Sequence, residues 1–370
     1  MSKHVTIIGT DEIGLAAVAD LSQRGFTVTL YVPEDEPLGE RLVEEPTIFF
    51  NGERVDFHRV ESNLAEALQA SSLIFITATG WNVESIARQC APFLTDNHRV
   101  VLFGHGALAS LRFKQVTDEM ETEADYVVGE TDSPPYEIAY DEKTGELELI
   151  LRSKKMLFSS YPKSDHPMFL RELRACYPSM TEAENIWEVL LNNRLPETVV
   201  VPVLSNLSTI EMEIAHFQLY REGISETVAR LMQEVDEERK KLVRSMRFED
   251  VGIERRLVES GHVKPLDELM EQMQESNVFN QLPRTKVHMI NQFMEGLLFG
   301  VVPWLSLARL LSIETPTLDS LLQLSSVALD RMIEQEGLTL DKVGFFKGNA
   351  EALNQSVKEE RHNPDEIVLN

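Results

Sequence analysis

Apolar and polar positions follow two different rhythms along the chain. Up to about residue 160, short β-branched runs recur between helical stretches. HVTII at residues 4–8 is followed by Gly9 and then by a helical pattern through Leu15, Ala19 and Leu21. Gly25 ends that pattern, and FTVTLY at residues 26–31 reads as the next strand. SSLIFITAT at 71–79 and RVVLFG at 99–104 repeat the theme, with helices predicted over 63–70 and 83–93. Alternation of this kind predicts an α/β fold: a Rossmann-like parallel sheet with helices on both faces. Residues 125–160 carry four more short strands, DYVVGET, PPYEIAYD, ELELIL and KMLFSS, with a turn at 141–145.

Beyond a polar linker at 162–167 the rhythm changes to the helical one. The expected organisation is a Rossmann-like dinucleotide-binding domain over 1–185, an all-helical substrate and dimerisation domain over 186–350, and a polar tail over 351–370. Residues 224–246 form the longest amphipathic run, with Val228, Leu231, Met232, Val235 and Leu242 at helical spacing. Its charged positions from 234 to 241 read as a solvated face. A helix is expected over 265–273, with Pro265 in its first turn. Another is expected over 318–332, with Thr315 as N-cap, Pro316 in the first turn and Gly337 as its stop.

Composition narrows the function. The chain has 370 residues, 43% of them hydrophobic, enough for two cores. Two cysteines, Cys90 and Cys176, are too few for a disulfide scaffold or a cysteine-rich zinc site, so no metal is expected. A net charge of −26 disfavours nucleic-acid phosphates and anionic lipid heads. No apolar run is long enough to span a membrane and no leader is indicated, so the expectation is a cytoplasmic protein with a small-molecule partner.

The candidate chemistry begins at the first glycine turn. A dinucleotide turn needs Gly-x-Gly-x-x-Gly: a glycine for the turn, one for approach of the pyrophosphate, one for helix–strand packing. Here the three positions hold Gly9, Asp11 and Gly14. Asp11 adds bulk and like charge where phosphate should approach, so NAD or NADP binding is expected to be weak or altered. Gly9, Asp11, Ile13, Gly14, Thr77 and Ala78 are the candidate cofactor-binding residues. Tyr31 and Val32 stand where an NAD site commonly places an acidic residue; Glu34 and Asp35 follow in an acidic stretch. His105, between two glycines after a strand, is a candidate ligand contact, and Trp81 a cover for the sheet edge.

These pieces resemble the octopine/nopaline (opine) dehydrogenase family. The resemblance is carried by YREGISETVARLMQEVDEERKKLV at 220–243, by GVVPWLSLARLLSIETPTLDSLLQLSSVAL at 300–329 with EGLTLDKVG at 336–344, by GET at 129–131 and by the glycine turn. It implies a dinucleotide-binding domain and a helical domain around a cleft, and reductive condensation of an amino acid with a 2-oxo acid using NAD(P)H. It also implies a proton-transferring histidine with a carboxylate partner and a substrate-holding arginine. By register from Asn192, Asn193 and Asn206, the histidine position holds Val199, followed by Val200. By register from Gly300, the carboxylate position holds Gly296, next to Glu295, and the arginine position holds Asn291.

The expected cleft residues are therefore His105, Asn193, Val199, Asn206, Asn291 and Gly296. Proton transfer near the reacting carbon needs a replacement group. His105, His216, His288 and Glu211 are the candidates, with Glu213 as a further carboxylate. Three functions remain open from the sequence. One is a divergent NAD(P)-dependent oxidoreductase. Another is a ligand-binding or partner protein, a pseudoenzyme that kept the fold. The third is a non-redox enzyme reusing the cleft. A homo-oligomer through the apolar C-terminal helices is left open as well.

Overall fold

The computed structural model describes residues 3–33, 37–77, 79–141, 144–163, 167–214, 217–282 and 285–358. The chain forms two compact units, one of Met1–Gly104 with Leu108–Glu182, the other of His105–Ala107 with Ala183–Asn370.

The first unit opens with β1 (His4–Ile8), α1 (Glu12–Gln23), β2 (Thr27–Tyr31), α2 (Pro37–Glu44), β3 (Thr47–Phe50), β4 (Glu53–Asp56), β5 (Arg59–Glu61) and α3 (Leu64–Ala70). It continues with β6 (Leu73–Thr77), α4 (Val83–Cys90), β7 (Arg99–Phe103), α5 (Ala109–Glu119), β8 (Val127–Thr131), β9 (Tyr136–Asp141), β10 (Glu146–Arg152), β11 (Met156–Tyr161), α6 (Pro167–Cys176) and β12 (Met180–Glu182). Eight strands form one sheet in the order β12-β11-β8-β7-β6-β1-β2-β5. The α/β prediction holds, but the sheet is mixed rather than parallel: β11 runs antiparallel to β8. The reason is a strand return without a crossover helix between β8 and β11, where β9 and β10 form a hairpin instead.

The pattern gave no warning of a second sheet, ordered β4-β3-β10-β9. Strands from residues 47–56 and 136–152 build it, and α1 packs against it as well as against β1 and β2. Asp20 of α1, fully buried, accepts from the Tyr136 hydroxyl at 2.7 Å, from Arg24 at 3.1 Å, and from Arg152. A carboxylate there ties the helix to the second sheet through compensated charge. Every residue of β6 is buried, and Phe75 stacks on Phe103 of β7 with ring centroids 5.0 Å apart. Both explain why these segments read as continuous apolar runs.

The second unit is helical: α7 (Ile186–Leu191), α8 (Val201–Ser205), α9 (Leu207–Glu211), α10 (Leu219–Glu222), α11 (Glu226–Ser245), α12 (Ile253–Ser260) and α13 (Leu269–Gln274). Then come α14 (Lys286–Gly296), α15 (Val302–Leu310), α16 (Pro316–Leu329), α17 (Ile333–Glu336) and α18 (Ala350–Ser356). Two π-helical turns, Pro196–Val200 and Leu297–Val301, lead into α8 and α15. The run Lys286–Leu310 is the one described helix long and apolar enough to cross a membrane, and 83% of its most apolar window is buried inside the fold.

Several expectations shift here. The helix expected from Pro265 begins only at Leu269. The one expected to run to 332 ends at Leu329, where Asp330 adopts a left-handed conformation; Gly337 terminates the short α17 instead. Thr315 makes no side-chain cap. Glu238 of α11 does that work, its two carboxylate oxygens accepting from the N–H groups of Thr317 and Leu318 at 2.8 Å each. Residues 351–356, expected as the start of a polar tail, lie in α18 with Leu353 buried; the Leu353 carbonyl accepts from the Trp187 indole N–H at 3.0 Å.

Candidate functional site

The first candidate site lies in the first unit, at the carboxyl ends of its strands. From β1 the chain goes one way to β2 and the other way to β6, so the β1–β6 edge is a topological switch point, where open α/β sheets bind ligands. A cavity of about 560 Å³ opens there, lined by Gly9, Asp11, Tyr31 and Thr77 among others, with α4 contributing Ile86 and Cys90.

The turn itself explains its glycines. Gly9 sits at φ +140°, and a Cβ on it would stand 1.8 Å from Thr77 Oγ1. A Cβ on Gly14 would stand 2.1 Å from the Gly9 carbonyl oxygen. Both positions exclude side chains, so strand and helix approach as closely as a dinucleotide turn requires. Thr77 is buried on the cavity wall, and its hydroxyl interacts with the Asp11 carboxyl. The residues present therefore fit a dinucleotide pyrophosphate, with one alteration.

The alteration is Asp11. Its backbone is extended (φ −69°, ψ 171°) and its side chain caps α1, Oδ1 accepting from the Gly14 N–H at 2.7 Å. That N–H is among the donors a pyrophosphate would meet at the helix N-terminus. The protein packed around the carboxyl raises its pKa above the ordinary carboxylate value, and the neighbouring Glu12 adds to the rise, while the Gly14 N–H opposes it.

The other sequence candidates of this unit scatter. Ile13 packs into the core rather than lining the cavity. Ala78 lies outside the described residues, as do Glu34 and Asp35. Trp81 is exposed. The turn after β6 is held from behind: Arg112 of α5, buried, donates to both carboxylate oxygens of Glu84 at 2.7 and 2.8 Å and to the Gly80 carbonyl at 2.5 Å. Glu130 of the GET segment is wholly buried beneath the start of α5. It accepts from the Ala109 N–H at 2.5 Å and the Ser110 hydroxyl at 3.1 Å, and burial pushes its carboxyl up to about 8.

His105 is not among the cavity's lining residues; it belongs with the helical unit. The turn is drawn there because Gly106, at φ +80°, lies against α7. A Cβ on it would stand 3.1 Å from the Val189 carbonyl oxygen.

In the helical unit, the region from Asn193 to Asn206 packs against the end of α14. Asn193 is fully buried; its amide donates to the Phe299 carbonyl at 3.4 Å and its oxygen accepts from the Leu195 N–H at 2.9 Å. Val199 is buried in the first π-turn. Gly296 faces Val200: a Cβ there would stand 2.6 Å from Val200 Cγ2. Asn206 donates to the carbonyls of Pro202 at 2.9 Å and Gly223 at 3.0 Å. Asn193, Val199, Asn206 and Gly296 thus share one packed region. Asn291 is exposed on α14, His288 is half-buried in the first turn of that helix, and Glu211 and Glu213 are exposed. His216 lies outside the described residues. Among the described residues, no three His, Cys, Asp or Glu side chains come together as a metal site.

A larger feature escaped the sequence reading. The supposed solvated face of α11 is half-buried: Asp236, Glu238 and Arg239 are almost inaccessible. Arg239 Nε lies 3.3 Å from Glu197 and its NH2 2.7 Å from Asp236. Arg256 of α12 bonds Glu197 as well and lies 3.1 Å from Asp236. Two acids and two bases close into a neutral cluster beneath the π-turn that carries Val199. Burial raises the Glu197 carboxyl while the two guanidiniums oppose the rise. Beside it, Nδ1 of buried His262 lies 2.9 Å from the Ser260 hydroxyl oxygen. The only sequence signal was that the charges fall at i and i+3 on the apolar side of the α11 pattern.

Residues 182–329 match the family model for the alpha-helical domain of NAD/NADP octopine/nopaline dehydrogenases. The opine dehydrogenase of Arthrobacter sp. (strain 1C) is 23% identical over 363 residues, covering 96% of this chain and 99% of that protein. Octopine dehydrogenase solved with NADH and agmatine superposes with a TM-score of 0.76 at 13% identity, over 97% of this chain and 100% of the other. NADP+-bound yersinopine dehydrogenase gives 0.66 at 15% identity, over 97% and 99%. The family model thus covers the helical region of this chain, and the solved dehydrogenases share its fold.

Proposed function

We propose that the protein is a divergent NAD(P)-dependent oxidoreductase of the opine dehydrogenase type, acting on a small molecule derived from an amino acid or a 2-oxo acid. The observation that carries this reading is the β1–α1 turn, where Gly9 and Gly14 both exclude a Cβ and open onto a cavity at the switch point. The N-terminus of α1 and the Thr77 hydroxyl would hold the pyrophosphate, and the apolar Ile86 and Leu64 would flank the adenosine. A bound nicotinamide cofactor would supply or accept the hydride. The remaining residues would orient and exclude water. Relatives solved with NADH and with NADP+ support the cofactor class.

A second reading has its own observation. Val199 is buried and apolar, and Gly296 has no room for a side chain beside Val200. Neither can move a proton, so a protein that binds the dinucleotide and a ligand with little or no turnover fits as well. Titration with NADH and NADPH, followed by a screen of amino acids against pyruvate, 2-oxoglutarate and glyoxylate at the nicotinamide absorbance, separates the readings. Binding with turnover above about 1 s⁻¹ on any pair supports the oxidoreductase. Binding without turnover supports the lapsed enzyme. Absence of binding removes both.

A further inference from the structure

We infer that the cavity takes the unphosphorylated dinucleotide, NAD(H), and rejects its 2′-phosphorylated counterpart. The inference rests on reading the cavity as a dinucleotide site. A 2′-phosphate adds about two negative charges beside the adenosine ribose at neutral pH. That ribose sits near the end of the second strand of such a fold, and proteins that accept the phosphate meet it there with a guanidinium.

No such cation lines the cavity among the described residues. The end of β2 contributes Tyr31 and Pro33 to the cavity wall, and α4 contributes Ile86, Gln89 and Cys90 opposite. Among the described residues that line it, none is Lys, Arg or His, and the one charged group is the Asp11 carboxylate, of the wrong sign. In sequence, Pro33 is followed by Glu34, Asp35 and Glu36.

Two cations of the neighbouring elements are already paired. Arg59 lies on β5, which pairs with β2 so that Glu61 stands in register with Tyr31. Its guanidinium is held by Glu61 at 2.5 Å and Glu66 at 3.2 Å. Arg88, next to Gln89 on α4, lies 3.5 Å from Glu119. A 2′-phosphate entering this cavity would lose its hydration without gaining a counter-charge from the described wall, and would share the cavity with the Asp11 carboxylate. The ribose hydroxyls of NAD(H) meet no such penalty.

Calorimetry with ADP-ribose and 2′-phospho-ADP-ribose isolates the subsite from the nicotinamide. ADP-ribose is expected to bind at least about tenfold more tightly at low salt. The ratio should narrow as added salt screens the repulsion. Equal or tighter binding of the phosphorylated fragment overturns the inference and leaves the dinucleotide reading standing. Failure of both fragments and of NADH to bind overturns the dinucleotide reading itself. Pro33→Arg and, at an exposed helix position that should not disturb folding, Gln89→Arg each add a cation to the wall. A gain of about tenfold for the phosphorylated fragment relative to ADP-ribose in either variant supports the charge argument. No gain in either variant overturns it.

Discussion

A Cβ on Gly296 would stand 2.6 Å from Cγ2 of Val200, and 3.2 Å from Cβ of Leu195. The end of α14 and the first π-turn therefore meet backbone to side chain, with no space for another atom. Val200 is β-branched and fully buried, so it yields poorly. Gly296→Ala is expected to cost about 1–3 kcal/mol in urea unfolding, and Gly296→Asp more, because it adds an unpaired carboxylate to the same contact. The cost of Gly296→Ala should fall in the background of Val200→Ala. Additive effects of the two substitutions would show that the contact is slack.

Asp11 and the dinucleotide compete for the N-terminus of α1. Its carboxyl pKa is raised, so lowering the pH toward that value neutralises it before ordinary carboxylates. ADP-ribose binding is expected to tighten as pH falls through that window, with proton uptake visible as a dependence of the binding enthalpy on the buffer. Asp11→Asn keeps the helix cap while removing the charge. It should bind ADP-ribose more tightly at neutral pH and lose the pH dependence. Unchanged affinity in that variant would show that the carboxylate swings clear of the phosphates.

Glu130 links stability to pH. Its carboxyl is pushed up to about 8 by burial, above the value it has in an unfolded chain. The folded state then holds a proton that the unfolded state has lost, so stability should decline as pH rises from about 5 to about 8. Glu130→Gln can still accept from the Ala109 N–H while carrying no charge. Urea midpoints measured across that range should slope downward in the parent and less steeply in the variant.

The four-charge cluster under the π-turn should behave as a unit. Removing one member leaves its partners charged and buried. Arg256→Met is expected to cost about 3–5 kcal/mol, read as a lowered thermal midpoint. Glu197→Gln on top of it should recover part of that loss, because it removes one of the carboxylates left unpaired. If the double variant is no better than the single one, the cluster is held together by packing rather than charge.

What the chain's linear pattern determined is local. The runs HVTII, LIFIT and RVVLF became β1, β6 and β7 because a strand buried on both faces must be apolar at every position. The Gly9–Gly14 spacing located the turn, since a close strand–helix approach admits only glycine. The amphipathic run at 226–245 became α11. Tertiary structure decided what depends on residues far apart in sequence. β3 pairs with β10 across roughly a hundred positions, so no local signal could announce the second sheet. Asp236, Glu238 and Arg239 look like a solvated face until Glu197, Arg256 and the start of α16 arrive to compensate them. The charge of the cavity was decided in the same way. Tyr31, Asp11 and Gln89 are individually ordinary, and only the convergence of β1, β2 and α4 brings together a wall with no cation among its described residues. Burial is a property of neighbours, and in these places the neighbours come from other parts of the chain.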